Sequence, residues 1–268
     1  MPLAELNGVR IGFDVRGTGE LVLLVMGTGS PGRVWNLYQV PALVDAGYRV
    51  ATIDNRGIPP SEPGPGPLTI EDMVADTAAL LEHLGGGPAR VVGTSLGARV
   101  VSELLLARPD LVSQAVLMAA HARLDPVQQA LSAGERALHD LDVELPGRYR
   151  AAVTALHNLS PRTRSDEKTV RDWLEVFEFS GAARSTGARA QLDLAEFPDR
   201  SEAYRAIDVP TLVIGFADDQ MIPPRLAREV ADVLGRGRYV EVADCGHYGY
   251  LERPERVNEL LLEFFAEI

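Results

Sequence analysis

The sequence is poor in two residue types that common functional sites depend on. It contains a single cysteine, Cys245, so no disulfide can form within the chain and no cysteine-based zinc cluster can be assembled. It also contains a single lysine, Lys168, which lies in an amphipathic run. Schiff-base catalysis, a pyridoxal cofactor and a Walker-type phosphate loop each need a lysine in a defined position. We therefore expect a protein that works without a cofactor or a bound metal ion.

Long hydrophobic runs and positive charge are scarce as well. The longest apolar run, residues 21–26, is far shorter than a membrane-spanning helix. The first residues lack the basic and apolar pattern of a signal peptide, which predicts a cytoplasmic protein. The formal net charge of −12 disfavours a broad surface for nucleic acid or anionic membranes. We expect a small-molecule substrate as the partner, and the choice between monomer and homodimer stays open.

What the sequence does contain is an alternation of strand and helix patterns. Its length of 268 residues, with 46% hydrophobic and 24% charged residues, suits one elaborated α/β domain. Between residues 120 and 206 the strand pattern disappears and amphipathic helices replace it. The alternation predicts a mostly parallel sheet built from residues 1–119 and 207–268, with residues 120–206 forming a helical cap.

The motif around Ser95 is the strongest indication of chemistry. A β-branched run at residues 91–92 leads into Gly93-x-Ser95-x-Gly97, and a helical pattern follows. This strand–turn–helix context exposes a serine hydroxyl at the edge of a sheet, where it can act as a nucleophile. Both glycines have a steric reason, because a Cβ atom in so tight a turn would strike neighbouring backbone. The alternative is a tight turn without chemistry, so the interpretation requires partners for the serine.

Two later loops supply those partners. A serine nucleophile needs an imidazole to remove its proton and an acid to orient the imidazole. Ligands bind at the carboxyl ends of the strands of an α/β sheet, so the partners should follow later strands. His247 follows the last predicted strand, and Asp218 and Asp219 follow the strand before it. Serine, acid and histidine therefore occur in that order along the chain, with either aspartate available as the acid.

With these motifs in this order, the whole chain resembles proteins of the α/β-hydrolase fold with a helical cap. The resemblance implies a mostly parallel, eight-stranded sheet flanked by helices. In that family the acid commonly stands four residues before a proline that opens the next helix. This spacing selects Asp219, four residues before Pro223, over Asp218. The resemblance thus implies a catalytic triad of Ser95, Asp219 and His247.

Two backbone N–H groups are expected to bind the oxyanion of an acyl-transfer reaction. One belongs to Leu96, which directly follows the nucleophile at the start of a helix. The resemblance implies that the second belongs to Thr28, in a loop that usually reads His-Gly-x in the family and here reads Met26-Gly27-Thr28. Because the donor is a backbone amide, the missing histidine need not remove it.

The residues beside these motifs predict a largely apolar substrate pocket. The residues that we expect to contact the substrate are Trp35, His121, Met221, Ile222 and Tyr248. Such a lining suits a small or medium uncharged ester or lactone. One apolar stripe within the predicted cap is interpreted for the most part as ordinary core packing: Val170, Trp173, Leu174 and Phe177.

The sequence therefore predicts a serine hydrolase that cleaves an ester or a lactone through an acyl-enzyme on Ser95. Carbon–carbon bond hydrolases, thioesterases, acyltransferases and cofactor-free haloperoxidases carry similar triads on the same fold, and these motifs do not separate them. Lyases, cyclases and non-catalytic ligand receptors also occur in the superfamily. Those classes remain as alternatives because fold alone does not determine function.

Overall fold

A sheet of eight strands forms the centre of the computed structural model, which describes residues 2–179 and 186–267. The strands are β1 (Leu3–Leu6), β2 (Val9–Arg16), β3 (Leu21–Val25), β4 (Arg49–Ile53), β5 (Ala89–Thr94), β6 (Val112–Met118), β7 (Thr211–Phe216) and β8 (Gly237–Val242).

The strand order across the sheet is β1-β2-β4-β3-β5-β6-β7-β8. The pairs β1–β2 and β2–β4 are antiparallel, and every pair from β4 to β8 is parallel. The prediction of a mostly parallel, eight-stranded sheet is confirmed. Strand β5 lies between β3 and β6, so the residue that follows it stands near the middle of the carboxyl edge, where α/β proteins bind their ligands.

The described residues also form twelve α-helices. They are α1 (Gln39–Asp45), α2 (Ile70–His83), α3 (Leu96–Ala107), α4 (Pro126–Asp140), α5 (Gly147–Asn158), α6 (Pro161–Ser165), α7 (Glu167–Phe179), α8 (Thr186–Asp193), α9 (Ser201–Tyr204), α10 (Pro224–Val233), α11 (Gly249–Glu252) and α12 (Pro254–Phe265). Two short 3₁₀ segments occur at Gly32–Leu37 and Pro109–Leu111. Within the described residues, none of the helices combines the length and apolarity that crossing a membrane requires.

The core has two layers, one on each face of the sheet. Successive side chains of a strand point to opposite faces, and β5 follows this rule, with Val91 in one buried cluster and Val92 in the other. Helices α2 and α3 cover the first face through residues such as Leu80 and Leu104. Helices α1 and α12 cover the second face. This burial on both faces explains why the central strands are continuous apolar runs.

The chain between β6 and β7 contains no strand among its described residues; helices α4 to α9 occupy it instead. This is the segment 120–206 in which the sequence predicts a cap. Residues 180–185 of that segment lie outside the described residues. The division into a core and a cap stays a prediction.

Candidate active site

Ser95 stands in the turn between β5 and α3. Its backbone has φ 55° and ψ −120°, which is a strained conformation for a residue with a side chain. A Cβ atom on Gly93 would lie 2.3 Å from the carbonyl oxygen of Gly97, and a Cβ atom on Gly97 would lie 2.3 Å from that of Val25. The two glycines therefore permit the sharp turn from strand to helix, for the steric reason that the sequence predicts. The turn holds the serine side chain at the carboxyl edge of the sheet.

An imidazole and a carboxylate meet at the same edge. His247 follows β8 and Asp219 follows β7, and the Nδ1 atom of His247 lies 2.8 Å from Oδ2 of Asp219. Both residues are buried, with 8% and 2% of their surface exposed. Of the two described carboxylates in the β7 loop, Asp219 is the one that contacts the imidazole. With Nδ1 committed to this contact, Nε2 is the ring atom available to exchange a proton.

The loop after β7 fixes the orientation of the Asp219 carboxylate. Its second oxygen, Oδ1, accepts hydrogen bonds from the backbone N–H groups of Met221 and Ile222, each at 2.8 Å. Both carboxylate oxygens are thus engaged, one by the backbone and one by the imidazole. A carboxylate held in this way can select the tautomer of His247 and stabilise the imidazolium when it forms.

The loop after β3 comes close to the serine. A Cβ atom on Gly27 would lie 3.1 Å from Cβ and 3.7 Å from Oγ of Ser95. The side-chain amide of Asn55 donates a hydrogen bond to the carbonyl oxygen of Met26 at 2.8 Å, which fixes this approach. Thr28 is exposed and Leu96 is the first residue of α3. The N–H groups of the first turn of a helix have no partner within the helix, so that of Leu96 suits an oxyanion.

A large cavity covers this edge of the sheet. It has a volume of about 1400 Å³ and its wall includes Ser95, His247 and Thr28. Most of its lining residues come from the loops after β3, β5, β6, β7 and β8 and from helices α4, α5, α7 and α8. The structure brings four of the five predicted substrate-binding residues to this wall, namely His121, Met221, Ile222 and Tyr248.

Trp35 is the exception among the predicted substrate-binding residues. Its side chain is completely buried and is absent from the described wall of the cavity. It packs against Tyr250 with 4.9 Å between the ring centroids, within the apolar cluster beneath α1 and α12. The 3₁₀ segment that contains Trp35 turns the indole toward the core, so Trp35 drops out of the set of substrate contacts.

Burial changes the protonation of several groups in or beside the cavity. Burial, together with the charges of Arg99 and His247, lowers the pKa of His121 to about 3, so its imidazole is neutral in ordinary buffers. Burial raises the pKa of the Glu135 carboxyl. It also raises the pKa of the Cys245 thiol to about 12, which leaves this cysteine without thiolate character near neutral pH.

Comparison with known proteins assigns the fold to a family. The family model for the alpha/beta hydrolase fold matches residues 21–254. The chain belongs to the α/β-hydrolase family.

Several relatives of known structure or named activity cover nearly the whole of this α/β-hydrolase chain. A protein of Mycobacterium tuberculosis H37Rv, provisionally named non-heme bromoperoxidase BpoC, is 48% identical over 260 residues, which are 97% of this chain and 99% of the relative. Its crystal structure matches with a TM-score of 0.92 over 96% of this chain and 95% of the other. A thermophilic esterase from Thermogutta terrifontis is 26% identical with a TM-score of 0.84, covering 99% and 98% of the two chains. The pyrrolizixenacetamide deacetylase of Xenorhabdus hominickii is 28% identical over 98% of this chain and 97% of the relative.

The α/β-hydrolase cavity also contains residues that sequence reasoning missed. Trp173 and Phe177 of α7, interpreted from the sequence as core packing, line the cavity together with Tyr248. The ring centroids of Trp173 and Tyr248 are 6.3 Å apart with nearly parallel planes, and those of Trp173 and Phe177 are 5.3 Å apart. The interpretation of most of this stripe as core packing does not hold for these two residues. Their helical spacing was the visible signal, but it does not distinguish a core from a cavity wall.

Proposed function

We propose that this α/β-hydrolase cleaves a small or medium, largely apolar ester or lactone by acyl transfer through Ser95. The Oγ atom of Ser95 attacks the carbonyl carbon and passes its proton to Nε2 of His247. The carbon–oxygen bond to the alcohol breaks, and the imidazolium returns the proton to the departing oxygen. Water then attacks the acyl-enzyme, giving a proton to His247, and the acid leaves as Ser95 regains its hydrogen.

The observation that carries this proposal is the hydrogen-bonded pair formed by His247 and Asp219. The pair has an Nδ1–Oδ2 distance of 2.8 Å, and its His247 lines the cavity that Ser95 also lines. The strained turn at Ser95 is the second support, since strain of this kind is typical of a presented nucleophile. In the proposed mechanism the N–H groups of Thr28 and Leu96 bind the oxyanion, each contributing about 3 kcal/mol to lowering the barrier.

The shape of the site supports acyl substrates of moderate size. Residues 120–206 are proposed to act as the cap over a core formed by residues 1–119 and 207–268. Aromatic and aliphatic side chains form much of the cavity wall, which favours an apolar acyl or alcohol group. The names of the two more distant relatives, an esterase and a deacetylase, describe hydrolytic acyl transfer in those proteins.

Turnover of 4-nitrophenyl acetate and butyrate, combined with labelling by an alkyl phosphonate, tests the proposal. We expect mass spectrometry to locate the phosphonate on Ser95, and Ser95→Ala to lose turnover by at least 10³-fold. Ser102→Ala is the matched control, because Ser102 lies on α3, the helix that follows Ser95, and its hydroxyl donates a hydrogen bond to the carbonyl oxygen of Ala98 at 2.9 Å. An active Ser95→Ala variant would contradict the mechanism.

A second candidate function is supported by the 48% identity to the relative named as a non-heme bromoperoxidase. Here hydrogen peroxide, in place of water, attacks the acyl-enzyme and releases a peroxyacid. The peroxyacid transfers one oxygen to bromide, giving hypobromous acid and the carboxylate. Bromination of monochlorodimedone in acetate with bromide and peroxide tests this alternative. If the Ser95-dependent rate of bromination exceeds the rate of 4-nitrophenyl ester hydrolysis, the peroxide reaction replaces hydrolysis as the proposed function.

A further inference from the structure

A buried arginine stands one helical turn beyond the proposed nucleophile. Arg99 lies on α3, and its backbone N–H donates to the carbonyl oxygen of Ser95 at 3.2 Å. Only 6% of Arg99 is exposed, yet the residue forms part of the cavity wall. Arginine is rarely buried to this extent without a carboxylate partner.

The guanidinium of Arg99 has few partners. Its Nη1 atom donates to the carbonyl oxygen of Leu194, and the group lies over the ring of Phe197, 3.7 Å from the centroid. Its Nε atom is buried with no hydrogen-bond partner. None of the ion pairs within residues 2–179 and 186–267 involves Arg99. Burial lowers its pKa, as expected for a cation whose charge is poorly compensated.

The nearby acid Glu103 is already occupied. Arg200 donates two hydrogen bonds to its carboxylate, at 2.8 and 2.7 Å, and the hydroxyl of Tyr204 donates a third at 3.1 Å. Glu103 and Arg200 therefore balance each other, and Arg99 is left with a ring face and one carbonyl oxygen. Burying a cation without a paired anion costs free energy. An anion that binds in the cavity would therefore stabilise the guanidinium of Arg99.

His121 adds a second open polar group beside Arg99. It is 8% exposed and lines the same cavity, and its Nδ1 atom is buried without a hydrogen-bond partner. Its ring lies 5.7 Å from that of Phe197, the ring that also contacts Arg99. A neutral imidazole presents either an N–H group or a lone pair at this atom, depending on its tautomer.

We propose that Arg99, with His121 beside it, binds a carboxylate of the substrate at a position remote from the bond that is cleaved. The planar guanidinium is well suited to a carboxylate because it can donate two parallel hydrogen bonds. Four residues of α-helix span about 6 Å, so the carboxylate and the reacting carbonyl are separated by several carbon atoms. The inference rests on the proposed function and narrows its substrate class to esters or lactones that carry a free carboxylate.

A matched series of esters measures this preference directly. The probes are the mono-4-nitrophenyl esters of succinic, glutaric, adipic and pimelic acids, each paired with its neutral methyl 4-nitrophenyl diester. The readout is the ratio of kcat/KM for the acid over kcat/KM for the diester. We expect the ratio to exceed 10 at one chain length in the wild type and to fall at least 10-fold in Arg99→Met. A ratio near 1 at all four lengths would exclude a carboxylate on the acyl part of the ester and, together with the same result for the alcohol part, would overturn the proposal.

Arg33→Met is the matched control. Arg33 is an exposed arginine on the wall of the same cavity, so its removal changes the charge of the cavity by the same amount. We expect its ratio to stay within 2-fold of the wild-type value. An equal fall in Arg99→Met and Arg33→Met would mean that general attraction of anions explains the preference, and would overturn a specific site. Arg99→Lys, which keeps the charge without the planar group, should give an intermediate ratio.

Binding without turnover separates this proposal from the proposed function. Calorimetry with Ser95→Ala should show methyl hydrogen adipate binding at least 10-fold more tightly than dimethyl adipate. If the two bind equally, the carboxylate site is excluded even where Ser95→Ala has lost hydrolysis as expected. If Ser95→Ala keeps hydrolysing esters, the proposed function fails while the binding preference still stands. Because this measurement does not use Arg99→Met, it tests the carboxylate preference even if that variant fails to fold.

The carboxylate can belong to the acyl part or to the alcohol part of the ester. The mono-4-nitrophenyl esters place it on the acyl part, and 6-acetoxyhexanoate, compared with its methyl ester, places it on the alcohol part. We expect a preference of 10-fold or more in one of these two arms. Absence of a preference in both arms would overturn the proposal.

Discussion

Glu252 is hydrogen-bonded to the loop that contains His247. Its Oε2 atom accepts a hydrogen bond from the backbone N–H of Gly246 at 2.6 Å, one residue before the imidazole. Its Oε1 atom accepts from the N–H and the hydroxyl of Ser160, at 3.0 and 2.8 Å. A single carboxylate therefore connects the His247 loop to the segment between α5 and α6, and we expect it to position the imidazole.

Replacement of Glu252 should slow the chemistry more than it weakens binding. Charge-assisted hydrogen bonds of this kind are worth about 1.5–3 kcal/mol, so we expect Glu252→Ala to lower kcat for 4-nitrophenyl butyrate by about 10-fold or more. Glu252→Gln keeps one acceptor oxygen and should recover part of the loss. The measurements are kcat, KM and the rate of labelling by the phosphonate.

The control for this prediction is Glu255→Gln, since Glu255 is exposed at the start of α12. We expect it to leave kcat within 2-fold of the wild-type value. An unchanged kcat in Glu252→Ala, or a loss that appears only in KM, would contradict a positioning role.

Gln191, on helix α8, should support the loop after β3 that contains Thr28. Its Oε1 atom accepts from the backbone N–H of Gly29 at 2.8 Å, and its Nε2 atom donates to the carbonyl oxygen of Arg56 at 3.1 Å. Gly29 is adjacent to Thr28, the proposed oxyanion donor. Gln191→Leu has a similar volume but makes neither hydrogen bond. We expect kcat to fall by about 10-fold, because the N–H group of Thr28 would no longer be held in position.

Gln191→Glu provides the informative comparison, because it keeps the acceptor for Gly29 and removes the donor to Arg56. Its kcat should lie between the values of the wild type and Gln191→Leu. Gln129→Leu, at an exposed position of α4, serves as the control and should keep full activity. Equal kcat values in the wild type and the three variants would show that Gln191 does not support the oxyanion donor.

The strands and the candidate triad could be predicted because each depends on a local pattern. The tight turn at Ser95 requires glycines at fixed spacing, and His247 and Asp219 each follow a recognisable strand. Contacts between distant segments leave no such pattern. Gly29 and Gln191 are 162 positions apart, and nothing local to either residue indicates the bond between them.

The two errors about the cavity wall have physical reasons as well. Trp35 follows the glycine-rich loop after β3, which suggested a place at the site, but the 3₁₀ segment directs its ring into the core. Trp173 and Phe177 form an apolar stripe, and an apolar stripe has the same spacing whether it faces a core or a cavity. Arg99 was not recognised as a cavity residue, because an arginine in a helical pattern does not indicate whether its charge is paired within the protein.

The buried pair of Arg56 and Asp76 should contribute strongly to stability. Nε and Nη2 of Arg56 donate to Asp76 at 2.8 and 2.6 Å, and Asn7 donates to the same carboxylate at 3.0 Å. Within the described residues, removal of Asp76 leaves the buried Arg56 guanidinium with only the longer ion pair to Asp72, at 3.8 Å. Because that contact compensates the buried charge only in part, we expect Asp76→Ala to lower the free energy of unfolding by about 3 kcal/mol. Urea unfolding followed by circular dichroism measures this change.

The double variant Arg56→Met with Asp76→Leu tests whether the unpaired charge is the cause. It removes both charges at similar volume and should be more stable than Asp76→Ala. If the double variant is as unstable as the single one, the loss reflects packing and not an uncompensated charge.

His121 should make the folded protein sensitive to acid in a defined pH window. Its folded-state pKa of about 3 lies below the ordinary value of 6.5, so the unfolded chain binds the extra proton first as the pH falls. The resulting loss of stability begins below pH 6.5 and grows until the pH reaches the folded-state pKa.

Between pH 7.5 and 5.0 the loss of stability is about 2 kcal/mol, since each pH unit below 6.5 contributes 1.36 kcal/mol. Urea unfolding across this range should therefore show His121→Gln losing about 2 kcal/mol less stability than the wild type. If the stability of the wild type and of His121→Gln depends on pH in the same way, the folded protein binds a proton at His121 as readily as the unfolded chain does, and the lowered pKa is contradicted.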